Sequence, residues 1–299
     1  MRVVIDTNRL QSPELWGFLA MSPRNLAVLP DYVMMEAFKP GRLDGLQAAF
    51  SVLGRFPGQV LALKGTGAVC RLDPDAVAIA AAMVSEDETD AFPSFCKYVR
   101  TAGRGDEIDD KLAERARWAC EQMAVIDRGF ADIAAALQEF AMPFTADELR
   151  RIRREQPVTP PIVEKFFGLA ASMANRIFEL RDDITLPTLD RRPDHFVFRT
   201  CLGYAVCMIT SVRTGARTRK VELARNDAID VMLAAYGTYF DGVMSEDALT
   251  NEVFQATRLL LESTGTRTGG DYLADGAEAV AVFLEGQITN RQQDSAPAR

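Results

Sequence analysis

Short apolar runs that end at an acidic or polar residue are the feature of this chain that most limits its fold. The first run is Met1–Ile5, which is interrupted only by Arg2 and is followed by Asp6. A run without alternation between apolar and polar residues is typical of a strand that is buried on both faces, as in a parallel sheet. We therefore predict an α/β fold with Asp6 at the carboxyl end of a strand, where such folds place their binding sites.

Three further apolar runs predict strands of the same sheet. They lie at residues 25–30, at residues 59–63 and at Gly242–Met244. The spacing of apolar residues predicts helices at residues 9–22, 31–39 and 44–55, between the first three strands. We expect a central parallel sheet of four or five strands flanked by helices.

The middle of the chain predicts helices without strands. The predicted helices lie at residues 74–84, 88–101, 106–140, 145–155, 160–181 and 194–213. Long helices without alternating strands indicate a large all-helical insertion that packs against the sheet domain. We divide the chain into a first part of the sheet domain (1–68), the insertion (69–215), a second part of the sheet domain (216–286) and a tail expected to be frayed (287–299).

Composition excludes several classes of protein. A hydrophobic content of 48% and a charged content of 25% are ordinary for a globular protein, and no apolar stretch reaches the roughly 18 residues that span a bilayer. No secretory signal pattern opens the chain, so we expect a cytoplasmic protein with no membrane partner. One histidine and five scattered cysteines argue against a zinc site or a disulfide framework. A net charge of -8 argues against bulk electrostatic coating of nucleic acid, although cation-filled carboxylates can still hold a strand locally.

Carboxylates near the far end of the chain are predicted to lie at the same sheet edge as Asp6. The stretch Asn226–Asp247 predicts a helix that opens with Asp227 and Asp230, then the fourth strand, then Asp247. Because the carboxyl ends of parallel strands meet at one edge, these acids are expected close to Asp6. Glu36 lies in the second turn of the helix after the second strand and can reach the same place.

Each of these acids also has a purely structural interpretation. Asp227 and Asp230 fit the start of a helix, where an N-cap and the helix dipole favour acidic side chains. Asp6 is also a common turn residue, Glu36 is an ordinary helix residue, and Asp247 can cap the helix that follows it. Their convergence at matching strand ends favours a shared site.

Together these pieces resemble the PIN-domain family of metal-dependent nucleases. The pieces are Val3-Val4-Ile5-Asp6-Thr7-Asn8, Glu36, Asp230-Val231-Met232-Leu233-Ala234-Ala235 and Gly242-Val243-Met244-Ser245-Glu246-Asp247. The resemblance covers residues 1–65 and 216–262 and leaves out the helical middle. It implies a PIN-like sheet domain, and the helical insertion departs from the family's compact pattern.

The resemblance also implies the site residues. Those expected to bind one or two Mg²⁺ or Mn²⁺ ions and to act in catalysis are Asp6, Glu36, Asp230 and Asp247. Supporting residues are expected to be Thr7, Asn8, Asp227 and Ser245. Spacing does not decide whether Asp227 or Asp230 lies nearer the metal, although the Leu233-Ala234-Ala235 register favours Asp230. Carboxylates alone suffice for these ions, which prefer hard oxygen ligands.

The expected activity is Mg²⁺- or Mn²⁺-dependent hydrolysis of phosphodiester bonds in RNA by a toxin-like or defence-related ribonuclease. In two-metal sites the ions activate water and stabilise the leaving oxygen. Two alternatives remain: a catalytically silent PIN-like binding or scaffold module, and a nuclease that uses the same site on DNA. The insertion is expected to offer a surface to a protein partner or inhibitor.

Overall fold

The structure is a computed structural model that describes residues 1–74, 78–103, 110–124, 143–154, 156, 159–213 and 221–294, without the side chains of residues 153, 210–213, 221–226 and 286–294. Its centre is a parallel sheet of four strands in the order β3-β2-β1-β4. The strands are β1 (Arg2–Ile5), β2 (Leu26–Leu29), β3 (Val60–Ala62) and β4 (Val243–Met244). The predicted α/β class and parallel sheet are confirmed.

Helices surround this sheet. In chain order they are α1 (Pro13–Met21), α2 (Asp31–Phe38), α3 (Leu43–Ala49), α4 (Thr66–Val69), α5 (Ile79–Ala82), α6 (Glu86–Thr101), α7 (residues 110–124), α8 (Ala146–Arg153), α9 (Pro160–Leu180), α10 (Phe196–Arg213), α11 (Val221–Gly237), α12 (Ala248–Ser263), α13 (Tyr272–Asp275) and α14 (Ala277–Asp294). In the described part of the chain, no helix combines the length and apolar character needed to cross a membrane.

The first strand lies inside the sheet and is covered on both faces. Val4 of β1 is in register with Val28 of β2 on one side and with Val243 of β4 on the other. Val3, Val4 and Ile5 are fully buried, which explains why the run lacks polar residues. The strand therefore carries Asp6 out of the core at the middle of the sheet edge.

The connections place helices on both faces of the sheet. The chain moves from β1 through β2 to β3 in one direction and returns to β4 on the far side of β1. Because such crossovers are right-handed, α1 to α3 lie on one face and α11 lies on the other. Helix α11 packs on β1 and β4, while α1 packs on α14.

The long helical segment between β3 and β4 shares a core with the sheet domain. Helix α10 packs directly on α11 and α12, and α9 packs on α10. Within the described part of residues 69–215, β pairing is limited to one antiparallel bridge from Leu63 to Val84. The predicted boundary at 215/216 falls in residues 214–220, and both ends of the predicted helix 106–140 fall in residues 104–109 and 125–142, all outside the described residues.

The last part of the chain is helical where the structure describes it. Residues 272–286 form α13 and the first part of α14. Residues 287–294 of the tail expected to be frayed continue α14 as far as Asp294. Residues 295–299 lie outside the described residues.

A tight turn sets the entry into β4. Gly242 has a φ of 119°, in the region that favours glycine, and a Cβ there would lie 2.9 Å from the Tyr272 nitrogen. Just before it, the Arg2 N–H donates to Asp241 Oδ2 at 2.6 Å, and the Asp241 N–H donates to the Arg2 carbonyl at 2.7 Å. These bonds fix β4 beside β1 and so set the position of the residues that follow β4.

Candidate functional site

Asp6 is held at the sheet edge by a residue from the other end of the chain. It follows β1, is 9% exposed, and its Oδ2 accepts a hydrogen bond from Ser245 Oγ at 2.5 Å. The same oxygen accepts from Asn8 Nδ2 at 2.7 Å. Since Ser245 directly follows β4, the two strand ends meet as the sequence predicts.

Asn8 and Ser245 also organise the loop after β4. The Glu246 N–H donates to Asn8 Oδ1 at 3.2 Å, and the Asp247 N–H donates to Ser245 Oγ at 3.0 Å. Side chains from two of the four predicted supporting positions, Asn8 and Ser245, therefore bridge two loops that are far apart in sequence. They hold Asp247 beside Asp6.

Asp230 approaches from helix α11. The helix begins at Val221, so Asp227 and Asp230 lie in its interior, and the interpretation of this pair as helix-start residues is wrong. The Thr250 hydroxyl on α12 donates to Asp230 Oδ1 at 2.8 Å. One face of α11 packs on β1 and β4, and this packing brings Asp230 to the sheet edge.

The carboxylates at this edge act on one another. Burial, followed by the charges of Asp247, Asp6 and Asp227, raises the pKa of Asp230 to about 7, although the Thr250 hydrogen bond opposes the shift. Burial also raises the pKa of Asp6 above 3.8, with the Asp247 charge adding to it and the Ser245 hydrogen bond opposing it. We call Asp6, Asp230 and Asp247 the acid cluster; Asp227 lies one helical turn from it.

Asp247 caps a helix and also belongs to the acid cluster. It is exposed and forms the N-cap of α12, where its Oδ1 accepts from the Leu249 N–H at 2.7 Å. The interpretation of Asp247 as a helix cap is thus confirmed, and the cap lies within electrostatic reach of Asp6 and Asp230. Capping and membership of the cluster do not exclude each other here.

Glu36 reaches the same edge from the opposite face of the sheet. It lies on α2, and its Oε2 accepts a hydrogen bond from Thr7 Oγ1 at 2.5 Å. Helix α2 packs on the short 3-10 turn Thr7–Arg9 that follows Asp6. Glu36 is therefore joined to the acid cluster through Thr7.

The donor chemistry of this edge fits Mg²⁺ or Mn²⁺, because carboxylate and hydroxyl oxygens are the ligands such ions prefer. The arrangement is looser than a coordination sphere. Across the described ranges, no three side chains of His, Cys, Asp or Glu are placed so as to hold a metal ion. The four predicted acids are neighbours along one edge, each with its own hydrogen-bond donor from the protein.

Sequence reasoning missed two residues of α12. Thr250 is fully buried and donates to Asp230, and Asn251 Nδ2 donates to the Ser245 carbonyl at 3.2 Å. The sequence did offer one indication: Thr250 and Asn251 are the third and fourth residues after Asp247, and residues at that spacing lie on the same side of a helix. For Thr250 that indication gives no partner, because its contact with Asp230 comes from the packing of α12 on α11.

Comparison of the chain with protein-family models, with curated proteins and with solved structures finds no match. The likeness to PIN domains stays a prediction, which rests on the order and spacing of the named residues. What the chain does is therefore argued from the acid cluster and its surroundings.

Proposed function

We propose that this chain is a PIN-like nuclease that hydrolyses phosphodiester bonds with the help of Mg²⁺ or Mn²⁺, and that RNA is its substrate. One observation carries the proposal: Asp6 and Asp247, from the ends of two strands, and Asp230, from helix α11, meet at one edge of the sheet. Burial first, and then the charges of Asp247 and Asp6, raise the pKa of Asp230 there to about 7. Mutually repelling carboxylates in a partly buried position are relieved by a bound cation. The order of the acids along the chain, which resembles that of PIN domains, adds support.

The surrounding hydroxyl and amide groups fix how the acids are turned. Ser245 and Asn8 donate to Oδ2 of Asp6, and Thr250 donates to Oδ1 of Asp230. Each bond restricts rotation of its carboxylate and so directs the second oxygen. The residues that would hold the ions are Asp6, Glu36, Asp230 and Asp247, and bound ions would supply charge to stabilise phosphate oxygens and to acidify water.

The proposal is tested with purified protein and fluorescently labelled single-stranded and hairpin RNA. We expect cleavage with millimolar Mn²⁺ or Mg²⁺ and none with EDTA. Asp6→Asn and Asp230→Asn preserve side-chain shape and remove the charge, and each should lower the rate by at least about a hundredfold, within the range for losing transition-state charge stabilisation. Asp182→Asn, at an exposed turn position, is the matched control and should cleave like the wild type.

Cleavage that survives both substitutions would rule out this site. A DNA strand of the same base sequence, run in parallel, distinguishes the RNA-directed enzyme from a DNA-directed one that uses the same acids. A toxin-like role predicts that expression of the wild type arrests growth of host cells and that expression of Asp6→Asn does not.

A second candidate function is a catalytically silent binding or scaffold module. The observation in its favour is that every acid of the set accepts a hydrogen bond from the protein, as in a purely structural network. Titration calorimetry with Mn²⁺ separates the two functions. Absence of heat with the wild type, together with a protein that co-purifies through the helical segment, would support the module and contradict the nuclease.

A further inference from the structure

A cavity lies at the same end of the sheet as the acid cluster. It has a volume of about 740 Å³ and lies at the carboxyl ends of β2 and β3, between α2, α3, α6 and α7. Met34 and Phe38 of α2 line it, whereas Glu36 between them points to the other side of that helix. The cavity is therefore separated from the acid cluster by α2, and its volume is typical of small-molecule sites.

Aromatic rings form one wall of this cavity and its mouth. Phe38 and Phe92 both contact Phe95, with ring centroids 5.8 Å and 5.9 Å apart. Tyr98 and Trp118 also line the cavity and are 53% and 44% exposed, so they lie at its opening. Stacked and edge-on rings offer a flat apolar ligand good contacts, and ring faces also attract a positive charge.

Asp31, at the first position of α2, is one of the residues that line the cavity. Its Oδ1 accepts from Thr66 Oγ1 at 2.7 Å and from the Tyr32 N–H at 2.9 Å, and its Oδ2 accepts from the Thr66 N–H at 2.7 Å. A carboxylate has about four acceptor positions, so one position on Oδ2 is left over. Burial raises the pKa of the Asp31 carboxyl above its usual value, against the opposing hydrogen bonds from Thr66, so the charged form is disfavoured and a cation beside it would offset that cost.

The charges around the cavity are unequal. The charged residues in its lining are Asp31, Glu88, Glu114, Lys111 and Arg115, three acids and two bases, for a net charge of -1. The donors to Asp31 are all neutral, and within the described ranges Asp31 forms no ion pair. A cation would neutralise the net charge of -1 and would donate a hydrogen bond to the unused acceptor position on Oδ2.

We propose that this cavity binds an organic cation, an amine carried on a flat apolar body, with the ammonium group on Asp31 Oδ2 and the body between Phe38, Phe95 and Trp118. The site is distinct from the acid cluster and does not depend on nuclease activity. A guanidinium group, which binds a carboxylate through two parallel hydrogen bonds, fits less well because a single position on Oδ2 remains.

Titration calorimetry on the full chain tests this site with three probes that share one ring and one chain length. They are tryptamine, which is a cation, tryptophol, which is neutral, and indoleacetate, which is an anion. We expect tryptamine to bind at least about tenfold more tightly than tryptophol, because it adds a charge-assisted hydrogen bond. Indoleacetate should bind most weakly, since its charge repels that of Asp31.

Two variants locate the binding. Asp31→Asn should lower the affinity for tryptamine to that for tryptophol, provided that circular dichroism shows a folded protein. Ala91 is an exposed residue of the cavity lining on α6, so Ala91→Trp should occupy part of the cavity and weaken both probes. Ala274→Trp on α13, which is exposed and outside the cavity lining, should bind both like the wild type.

Equal affinities for the three probes, or no heat up to millimolar concentration, would overturn the proposal. It would also be overturned if the folded Asp31→Asn protein kept its preference for tryptamine, or if Ala91→Trp bound tryptamine like the wild type. The last result would place the binding elsewhere on the molecule.

Discussion

Asp230 shows how strongly position changes the behaviour of a single carboxyl group. Its pKa lies at about 7 instead of 3.8, first because of burial and then because of its acidic neighbours. A carboxyl group whose pKa is higher in the folded than in the unfolded chain stabilises the fold below the unfolded value, and that stability is lost as pH rises through the folded value. The window for Asp230 therefore extends from about pH 4 to about pH 7.

Asp230→Asn should accordingly make the protein more stable at pH 7.5 in EDTA. Asparagine keeps the acceptor for Thr250 without the buried charge, and we expect a gain on the order of 2 kcal/mol after allowance for solvent screening. The gain should shrink as pH falls toward 4 and vanish below about pH 3, where Asp230 is protonated in both states. Urea denaturation at several pH values measures it, with Asp182→Asn as the unchanged control; a loss of stability at pH 7.5 would contradict the prediction.

Thr250 should matter through its hydroxyl group. Thr250→Val keeps the volume and removes the donor to Asp230 Oδ1, so Asp230 loses its fixed orientation. If the nuclease proposal holds, we expect RNA cleavage to fall at least about tenfold, equivalent to one hydrogen bond of about 1.4 kcal/mol. Thr250→Ser retains the donor and should restore most of the rate, whereas equal loss in both variants would point to packing alone.

Part of the site was predictable at this scale and part was not. The positions of Asp6 and Ser245 follow from strand ends, since each comes directly after a buried apolar run. Asp227 and Asp230 were wrongly interpreted as helix-start residues. The reason is that the polar residues before them, in the first turns of α11, resemble the polar residues of a loop. Thr250 could not be assigned because its partner depends on how two helices pack.

At the scale of elements, Arg199 joins segments that the sequence does not connect. It lies on α10 and is 2% exposed, and its guanidinium donates to the carbonyls of Pro193 at 2.8 Å, Thr238 at 3.0 Å and Arg267 at 2.8 Å. It also lies 3.9 Å from the centre of the Tyr239 ring. One side chain thus links α10 to the end of α11 and to the loop after α12.

Arg199→Met should therefore destabilise the protein strongly. It removes the donors to three carbonyl groups and the contact with an aromatic face, and we expect the free energy of unfolding to fall by roughly 3 to 5 kcal/mol. Urea denaturation measures the change. Arg24→Met, at an exposed position, is the matched control and should stay within about 0.5 kcal/mol of the wild type, so a similar small change at Arg199 would refute this role.

The elements themselves were largely readable from the sequence. Strands β1 and β2 were predictable because their apolar runs, three residues in β1 and four in β2, do not alternate with polar residues and are too short for a buried helix. Helices such as α9 and α10 were predictable from their spacing of apolar residues. Their placement was not, since periodicity shows which face is buried and leaves open what covers it, so the packing of α10 on α11 and α12 came only from the structure.

At the scale of the whole molecule, the proposed metal site would link the stability of the fold to the concentration of metal ions. A cation that binds only the folded chain stabilises it by mass action, by about 2.7 kcal/mol at a hundred times its dissociation constant. We expect the melting temperature of the wild type in millimolar Mn²⁺ to exceed that in EDTA by roughly 3 °C or more. Asp6→Asn should lose most of this shift and Asp182→Asn should keep it; coincident curves for the wild type would argue against a metal site.

The placement of β4 beside β1 has a consequence for synthesis on the ribosome. Ser245 and Asp6 meet although 239 positions separate them, and the 180 residues from 63 to 242 must be translated after β3 before β4 emerges. At ordinary elongation rates this takes roughly 10 to 40 s. The nascent chain thus exposes Asp6 and Glu36 well before Asp230 and Asp247 are made, so any chemistry that needs all four acids begins only after residue 247 has been translated and β4 has paired with β1.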